Sequence, residues 1–288
     1  MRADALVPHQ KIVSRSRARW ALFRRDSSLS AATISQRVSY RVHATVVVAC
    51  LPVFSKQNVG GASVAVEKTV VDAHTTTRLE FAAGTWPERL EGFNRFGVTR
   101  ETVQEESATL VESSYVSFMA SSREKTFSDA REALRNTPAS QALTVARGRS
   151  TAAGCAFRIE NCTAPENSSW RNCLDLANSF EGLPLPQIEP LAGYSAGTLP
   201  TFLFTVWRAI RSDAGETTAL YTHNGNVYRL RTRSQVDSHS NELALTCSIS
   251  GQTEFKLWLS SRDRTALPRK IEFRPRSFLK LTLEQEQT

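Results

Sequence analysis

Alternation of apolar and polar residues with a period of two dominates this chain. Val38, Tyr40 and Val42 alternate with polar neighbours and lead into the β-branched run Val46-Val47-Val48. Val64 and Val66 alternate with Ala65 and Glu67, Leu79 and Phe81 with Arg78 and Glu80, and residues 98–106 continue as a more polar strand. The pattern returns near the end in Phe255, Leu257 and Leu259, in Ile271 and Phe273, and in Leu279, Leu281 and Leu283. Such strands have one side on a core and one in water, the mark of an antiparallel sheet. Asn224-Gly225, between Leu220–Thr222 and Val227–Arg233, supplies the positive φ angles of a tight hairpin turn. Leu243–Ile249 adds a further strand, and neighbouring runs of this kind predict a meander. Gly60-Gly61 is expected to turn the chain between its first two runs, and Pro275 to mark a bend or an edge.

Helical spacing is rarer. Leu199, Phe202, Leu203, Val206, Trp207 and Ile210 predict a helix over 199–211, with Thr198 as N-cap and Pro200 in the first turn. A second helix over 169–180 starts from Ser168 or Ser169 and gathers Trp170, Cys173, Leu174 and Ala177. A looser third, over 122–135, gathers Phe127, Ala130 and Leu134 and stops before Pro138. Residues 136–152 and 183–186 read as loops. The expected fold class is α+β: a curved, mostly antiparallel sheet of eight or more strands covered by two or three short helices. Phe202, Val206, Trp207 and Ile210 should pack on Phe255, Leu257 and Leu259.

Composition changes this picture little. The 288 residues, 41% of them apolar, can bury one large core. No apolar run reaches the roughly 18 residues of a membrane-spanning helix. Charge is uneven: residues 1–35 hold seven Lys/Arg against two acids, five of the eight net positive charges. The remainder is nearly balanced, so no nucleic-acid-binding face is expected. The Arg- and Ser-rich stretch 1–35 lacks hydrophobic periodicity. It reads as a disordered or targeting tail, expendable for folding, ahead of one β-rich domain over 36–288. There is no clean secretory signal, although Val47-Val48-Ala49-Cys50 has the outline of a lipoprotein acceptor box.

Few motifs carry chemistry. Gly193-Tyr194-Ser195-Ala196-Gly197 matches the nucleophile elbow of serine hydrolases, and Asp213 or Asp237 with His239 would complete the triad order. That motif needs a strand before it, where Pro184, Pro186 and Pro190 interrupt, and a parallel sheet around it. The other reading is a flexible loop before a helix. Asp237, His239 and Glu242 could ligate a divalent metal or simply be solvated. Five cysteines form no C-x-x-C pair and read as small buried thiols, although Cys155, Cys162 and Cys173 could give one disulfide. Arg229, Arg231 and Arg233 share a strand face that could grip phosphates or lipid head groups, while cross-strand pairing with Glu254 and Glu272 is the simpler account. Glu88, Glu91 and Arg95 around Trp86-Pro87 read as a salt-bridged rim. With no P-loop and no dinucleotide fingerprint, no cofactor is expected.

The helix Thr201–Arg211, the strand Val227-Tyr228-Arg229-Leu230, the run Phe255-Lys256-Leu257-Trp258-Leu259-Ser260 and the turn-strand Leu267-Pro268-Arg269-Lys270-Ile271-Glu272-Phe273 together resemble a bacterial family of envelope-associated domains of unknown function. The resemblance covers residues 199–286. It implies a curved antiparallel sheet, similar in outline to periplasmic lipoprotein carriers, and an envelope or periplasmic location; it brings no active-site residues. Together these readings favour a non-enzymatic domain that binds a hydrophobic ligand, a lipid or a protein partner. The candidate surface is the sheet face of Phe255, Leu257, Leu259, Ile271 and Phe273, and the alternative is a hydrolase using Ser195.

Overall fold

The computed structural model describes residues 32–48, 51–90, 94–121, 142–165, 168–191, 197–236, 242–250, 253–260, 266–276 and 278–286. The chain divides into two units, Met1–Ser30 and Ala31–Thr288, and every element named below belongs to the second. The first meander runs through β1 (Ala32–Val48), β2 (Leu51–Val71), β3 (His74–Thr85), β4 (Phe96–Glu106), β5 (Thr109–Ser121), β6 (Ala142–Thr151) and β7 (Gly154–Thr163). The second runs through β8 (Glu216–His223), β9 (Asn226–Val236), β10 (Glu242–Ile249), β11 (Thr253–Ser260), β12 (Lys270–Arg276) and β13 (Leu279–Gln285). Between them lie two helices, α1 (Cys173–Glu181) and α2 (Phe202–Arg211). All described pairings are antiparallel, and β1 pairs with both β2 and β13, so one sheet has the order β7-β6-β5-β4-β3-β2-β1-β13-β12-β11-β10-β9-β8.

The packing of α2 shows how this sheet is bent. Val206 and Ile210 meet Leu230, Leu245, Leu257 and Leu259 of the second meander. Phe204 and Trp207, on another side of the same helix, meet Val66, Leu79 and Val103 of the first, together with Leu267. One helix touching both halves means that the sheet curls around it. The two outer strands approach each other where Cys155 Sγ lies 3.6 Å from Thr222 Oγ1. Nearby, Tyr115 and Asn224 exchange hydrogen bonds of 2.8 Å. Cys155 also exchanges two backbone hydrogen bonds with Glu189, which blunts the start of the β7 edge. The other helix, α1, covers the outer face. Its Cys173 and Ala177 are buried with Ala82, Val98, Phe118 and Val145.

Several sequence expectations are met. The Asn224-Gly225 turn has φ of 50° and 71°. Ser169 and Asn172 form a capping box on the 3-10 turn Trp170–Asn172, which leads straight into α1. Pro275 falls at a register shift in the β12–β13 pairing. Phe202, Val206 and Ile210 face the second meander as expected, but Trp207 turns to the first.

Other expectations need correction. Gly60-Gly61 is no turn but lies inside the 21-residue strand β2. A Cβ on Gly60 would sit 2.0 Å from the Gly84 carbonyl oxygen, and one on Gly61 2.8 Å from the Trp170 indole nitrogen. The glycines permit close approach there, which is their other use in strands. Residues 136–152 are not all loop, since β6 occupies Ala142–Thr151. Its alternation is hidden by small residues and by Arg147-Gly148-Arg149. Helix α2 begins at Phe202 with Thr201 as N-cap, three residues later than Thr198 would place it. The preceding backbone is held elsewhere: Ser113 Oγ donates to the Leu199 carbonyl at 2.6 Å and Leu199 N–H donates to Ser150 Oγ at 3.1 Å. The predicted helix over 122–135 lies outside the described residues. Strand β1 begins at Ala32, inside the stretch assigned to the tail.

Candidate functional site

Successive register partners share a sheet face, so rows can be followed across the inside of the curl. One row runs Phe255–Phe273–Leu281–Ala44–Lys56, and the next runs Leu279–Val46–Phe54. In the first meander the corresponding row is Val64–Phe81–Thr99–Ser117–Ala146–Ile159. Helix α2 closes over part of this face, and Leu257 and Leu259 are buried beneath it. Beyond the helix, Leu267 is buried with Phe204 and Trp207, Tyr40 donates its hydroxyl to the Pro268 carbonyl at 2.6 Å, and Leu90 packs against the cluster of Tyr40, Val42 and Ala62. Phe255, Ile271, Phe273, Leu281, Val64 and Phe81 are half-buried, whereas Ile159 is 50%, Phe54 59% and Met119 63% exposed. The sheet face named from the sequence is therefore divided. Leu257 and Leu259 are core, Phe255 and Ile271 pack at the edge of the same cluster with Phe202 of α2, and Phe273 is half-buried beside Leu281.

The sequence reading missed two buried charge systems at the centre of the first meander. Glu101, on the inner face of β4, is 2% exposed. Its two oxygens accept the Leu203 and Phe204 backbone N–H groups at 2.8 and 2.9 Å, capping α2 from a strand a hundred residues away. Burial lifts its carboxyl to about 7, although these hydrogen bonds pull the other way. The preceding residue, Arg100, points to the outer face and is 5% exposed. It donates twice to Glu80 Oε2, at 2.9 and 2.7 Å, and reaches Asn178 and Glu181 of α1 at 2.7 and 2.9 Å. Arg37 and Arg78 pair with the same two glutamates from the surface.

Beside this network the outer face holds a cleft of about 540 Å³. Its floor is the sheet from Arg78 to Ala156, and its wall is the segment from Phe180 to Ile188. Arg147, 4% exposed, stands between them. It donates to the Leu183 and Pro184 carbonyls at 2.8 and 3.3 Å and to Glu160 at 2.7 Å, so the proline-rich segment is anchored rather than loose. The available signal in the sequence was charge in the middle of strands, at Arg100-Glu101 and Arg147-Gly148-Arg149. Adjacent residues of a strand point to opposite faces, so of Arg100 and Glu101 one must lie on the core side and find a partner there.

Of the residues named for a hydrolase, Ser195, Asp237 and His239 lie outside the described residues, and Asp213 is exposed just beyond α2. The structure brings together none of the parallel strand-turn-helix setting that a nucleophile elbow needs, since the described sheet is wholly antiparallel. Glu242 lies near Arg269, at 3.8 Å. Among the described residues no three His, Cys, Asp or Glu side chains gather as metal ligands, and Cys155, Cys162, Cys173 and Cys247 are free thiols. Arg231 and Arg233 do pair across strands, but with Glu216 of β8 and not with Glu254 or Glu272. Glu272 instead binds Lys270 and Lys280. At the rim Glu88 pairs with Arg171; Glu91 lies outside the described residues. No described helix is long and apolar enough to cross a membrane, which says nothing of strands.

No known family profile matches this chain, and no curated protein matches it. Among solved structures it is similar to a β-barrel-like protein of a domain family of unknown function from Brucella abortus, with a TM-score of 0.42 and 8% identity over 87% of this chain and 95% of that one. Likeness at that level carries neither a fold nor an activity across.

Proposed function

We propose that this protein is a non-enzymatic binding domain of the cell envelope whose curled sheet holds one apolar ligand, such as a lipid acyl chain, in the part of its inner face that α2 leaves uncovered. The observation that carries the reading is the set of apolar side chains on the inner face that are not fully buried: Phe273, Leu281 and Phe81 half-buried, and Phe54, Met119 and Ile159 exposed. A concave, largely apolar surface with few polar groups is the usual form of a small-molecule site. Lys56 ends one row of this face and offers a cation to an acidic head group. The envelope location rests on the resemblance of residues 199–286 to envelope-associated domains; cell fractionation tests it separately.

The binding test is native mass spectrometry of the purified full chain, followed by titration with a fluorescent fatty acid. Phe81→Glu and Phe273→Glu each put a charge on the inner face at half-buried positions. Both variants should lose probe affinity at least tenfold while still melting cooperatively. Unchanged affinity in both folded variants overturns the proposal. Fluorophosphonate labelling that disappears in Ser195→Ala would replace it with the hydrolase.

A further inference from the structure

The outer cleft is separate from the inner face, and its floor has a chemistry of its own. Arg78, Thr102, Ser114 and Arg149 are successive register partners across β3, β4, β5 and β6, and all four line the cleft. The ladder therefore sets two hydroxyls side by side between two guanidinium groups. Each guanidinium has five N–H donors, and few are taken. Arg78 gives one to Glu181 at 2.9 Å, and Arg149 has an ion-pair contact of 3.4 Å with Glu112. Both side chains are about half exposed, at 42% and 50%. Below them Arg147 keeps its Nε–H buried without an acceptor, although its other nitrogens are satisfied. A buried donor left unpaired costs free energy that an incoming acceptor recovers. The opposite wall is apolar, formed by Phe180, Leu183, Leu185 and Ile188 among prolines.

We infer that this cleft is a binding site for a small organic anion, a carboxylate or a phosphate carried on an apolar body. The anionic oxygens lie along the Arg78–Arg149 row, where guanidinium forks match them and the Thr102 and Ser114 hydroxyls add donors. The body lies against Phe180 and Leu185. Glu181, which lines the cleft, and Glu112 partly neutralise Arg78 and Arg149, so the anion alone is held weakly and the apolar wall must supply the rest of the affinity. Inorganic phosphate alone has nothing to set against the wall.

Isothermal titration of the full chain with naphthyl phosphate and with naphthaleneacetate tests this, with naphthol and inorganic phosphate as controls. At least one of the two anions should bind, and which of them does decides between phosphate and carboxylate. Naphthol and inorganic phosphate should bind at least tenfold more weakly. Arg149→Ala and Arg78→Ala, both at half-exposed positions, should each weaken the anion at least tenfold, and Arg149→Lys should recover only part of the loss. Phe273→Glu, on the inner face, should leave this binding unchanged. Failure of both anions to bind overturns the inference, as does equal binding of naphthol or equal binding by the two alanine variants. Since the readout does not depend on the inner face, a negative result here leaves the lipid proposal standing, and the converse holds.

Discussion

Glu101 shows what a single side chain contributes. Its ordinary carboxyl value of 4.5 becomes about 7 in the folded protein, because burial outweighs the backbone N–H groups it accepts. Ionisation thus favours the unfolded chain. The carboxyl's contribution to stability is whole below about pH 4.5, declines between 4.5 and 7, and is level above. A shift of this size corresponds to roughly 3 kcal/mol. His223, whose pKa burial lowers, acts in the opposite direction, so the comparison must be a difference. The unfolding free energy of wild type minus that of Glu101→Gln should fall by about 2 kcal/mol from pH 5 to pH 8 in denaturant titrations. A flat difference would mean that the carboxyl ionises normally. A second residue-scale prediction concerns the β4–β5 turn, where Ser107 and Ala108 both have positive φ, 49° and 66°. Glycine suits that backbone and alanine does not. Ala108→Gly should raise stability by about 0.5–1 kcal/mol, and a lowered melting temperature would contradict it. The adjacent charges Arg100-Glu101 signalled that one of them faces inward, but its partner is a helix end a hundred residues away, and Ser107-Ala108 carries no turn signature at all.

Among the elements, α2 is the one on which most packing depends. Trp207 packs among Val66, Leu79 and Val103, and the Arg211 guanidinium lies 3.0 Å from its ring centre. Trp207→Ala should cost about 3–5 kcal/mol, measured by chemical denaturation; a cost under about 1 kcal/mol would show a loosely packed site. The amphipathic spacing that revealed α2 also revealed its buried faces, because a three-to-four-residue period follows from the helix itself. Its start was misjudged because Ser113, Ser150 and Glu101 decide it from other strands. By contrast α1 was placed well, since the capping box of Ser169 and Asn172 on the 3-10 turn that leads into it is local. The same logic applies to β1. Residues Ala32–Ser35 pair with β2, yet their side chains are exposed. A chain beginning at Gln36 should therefore melt within a few degrees of the full one, and a larger drop would assign the first 35 residues a part in the folded domain.

For the whole molecule, ten strands were readable from period two and the antiparallel class followed, but β5, β6 and β7 were not read, because serines, alanines and charges break their alternation. What could not be read was that two meanders share one sheet through β1 and β13. Register between strands so distant in sequence leaves no local trace. The excess of apolar strand positions over helical cover, on which the binding proposal rests, was legible, whereas the arginine cleft was not, because its row is assembled from one residue on each of four strands. The β1–β13 pairing also carries a consequence for how the protein is made. β13 is synthesised after β1–β12, so until it emerges β1 presents an unpaired edge beside Tyr40 and Val42, which the folded domain buries. The nascent first meander must wait in that state, open to a neighbouring copy on the same messenger. A chain ended at residue 276 would be arrested there permanently. On a sizing column it should run as dimers or larger assemblies, and a clean smaller monomer would show that β1 does not need β13 to cover its edge.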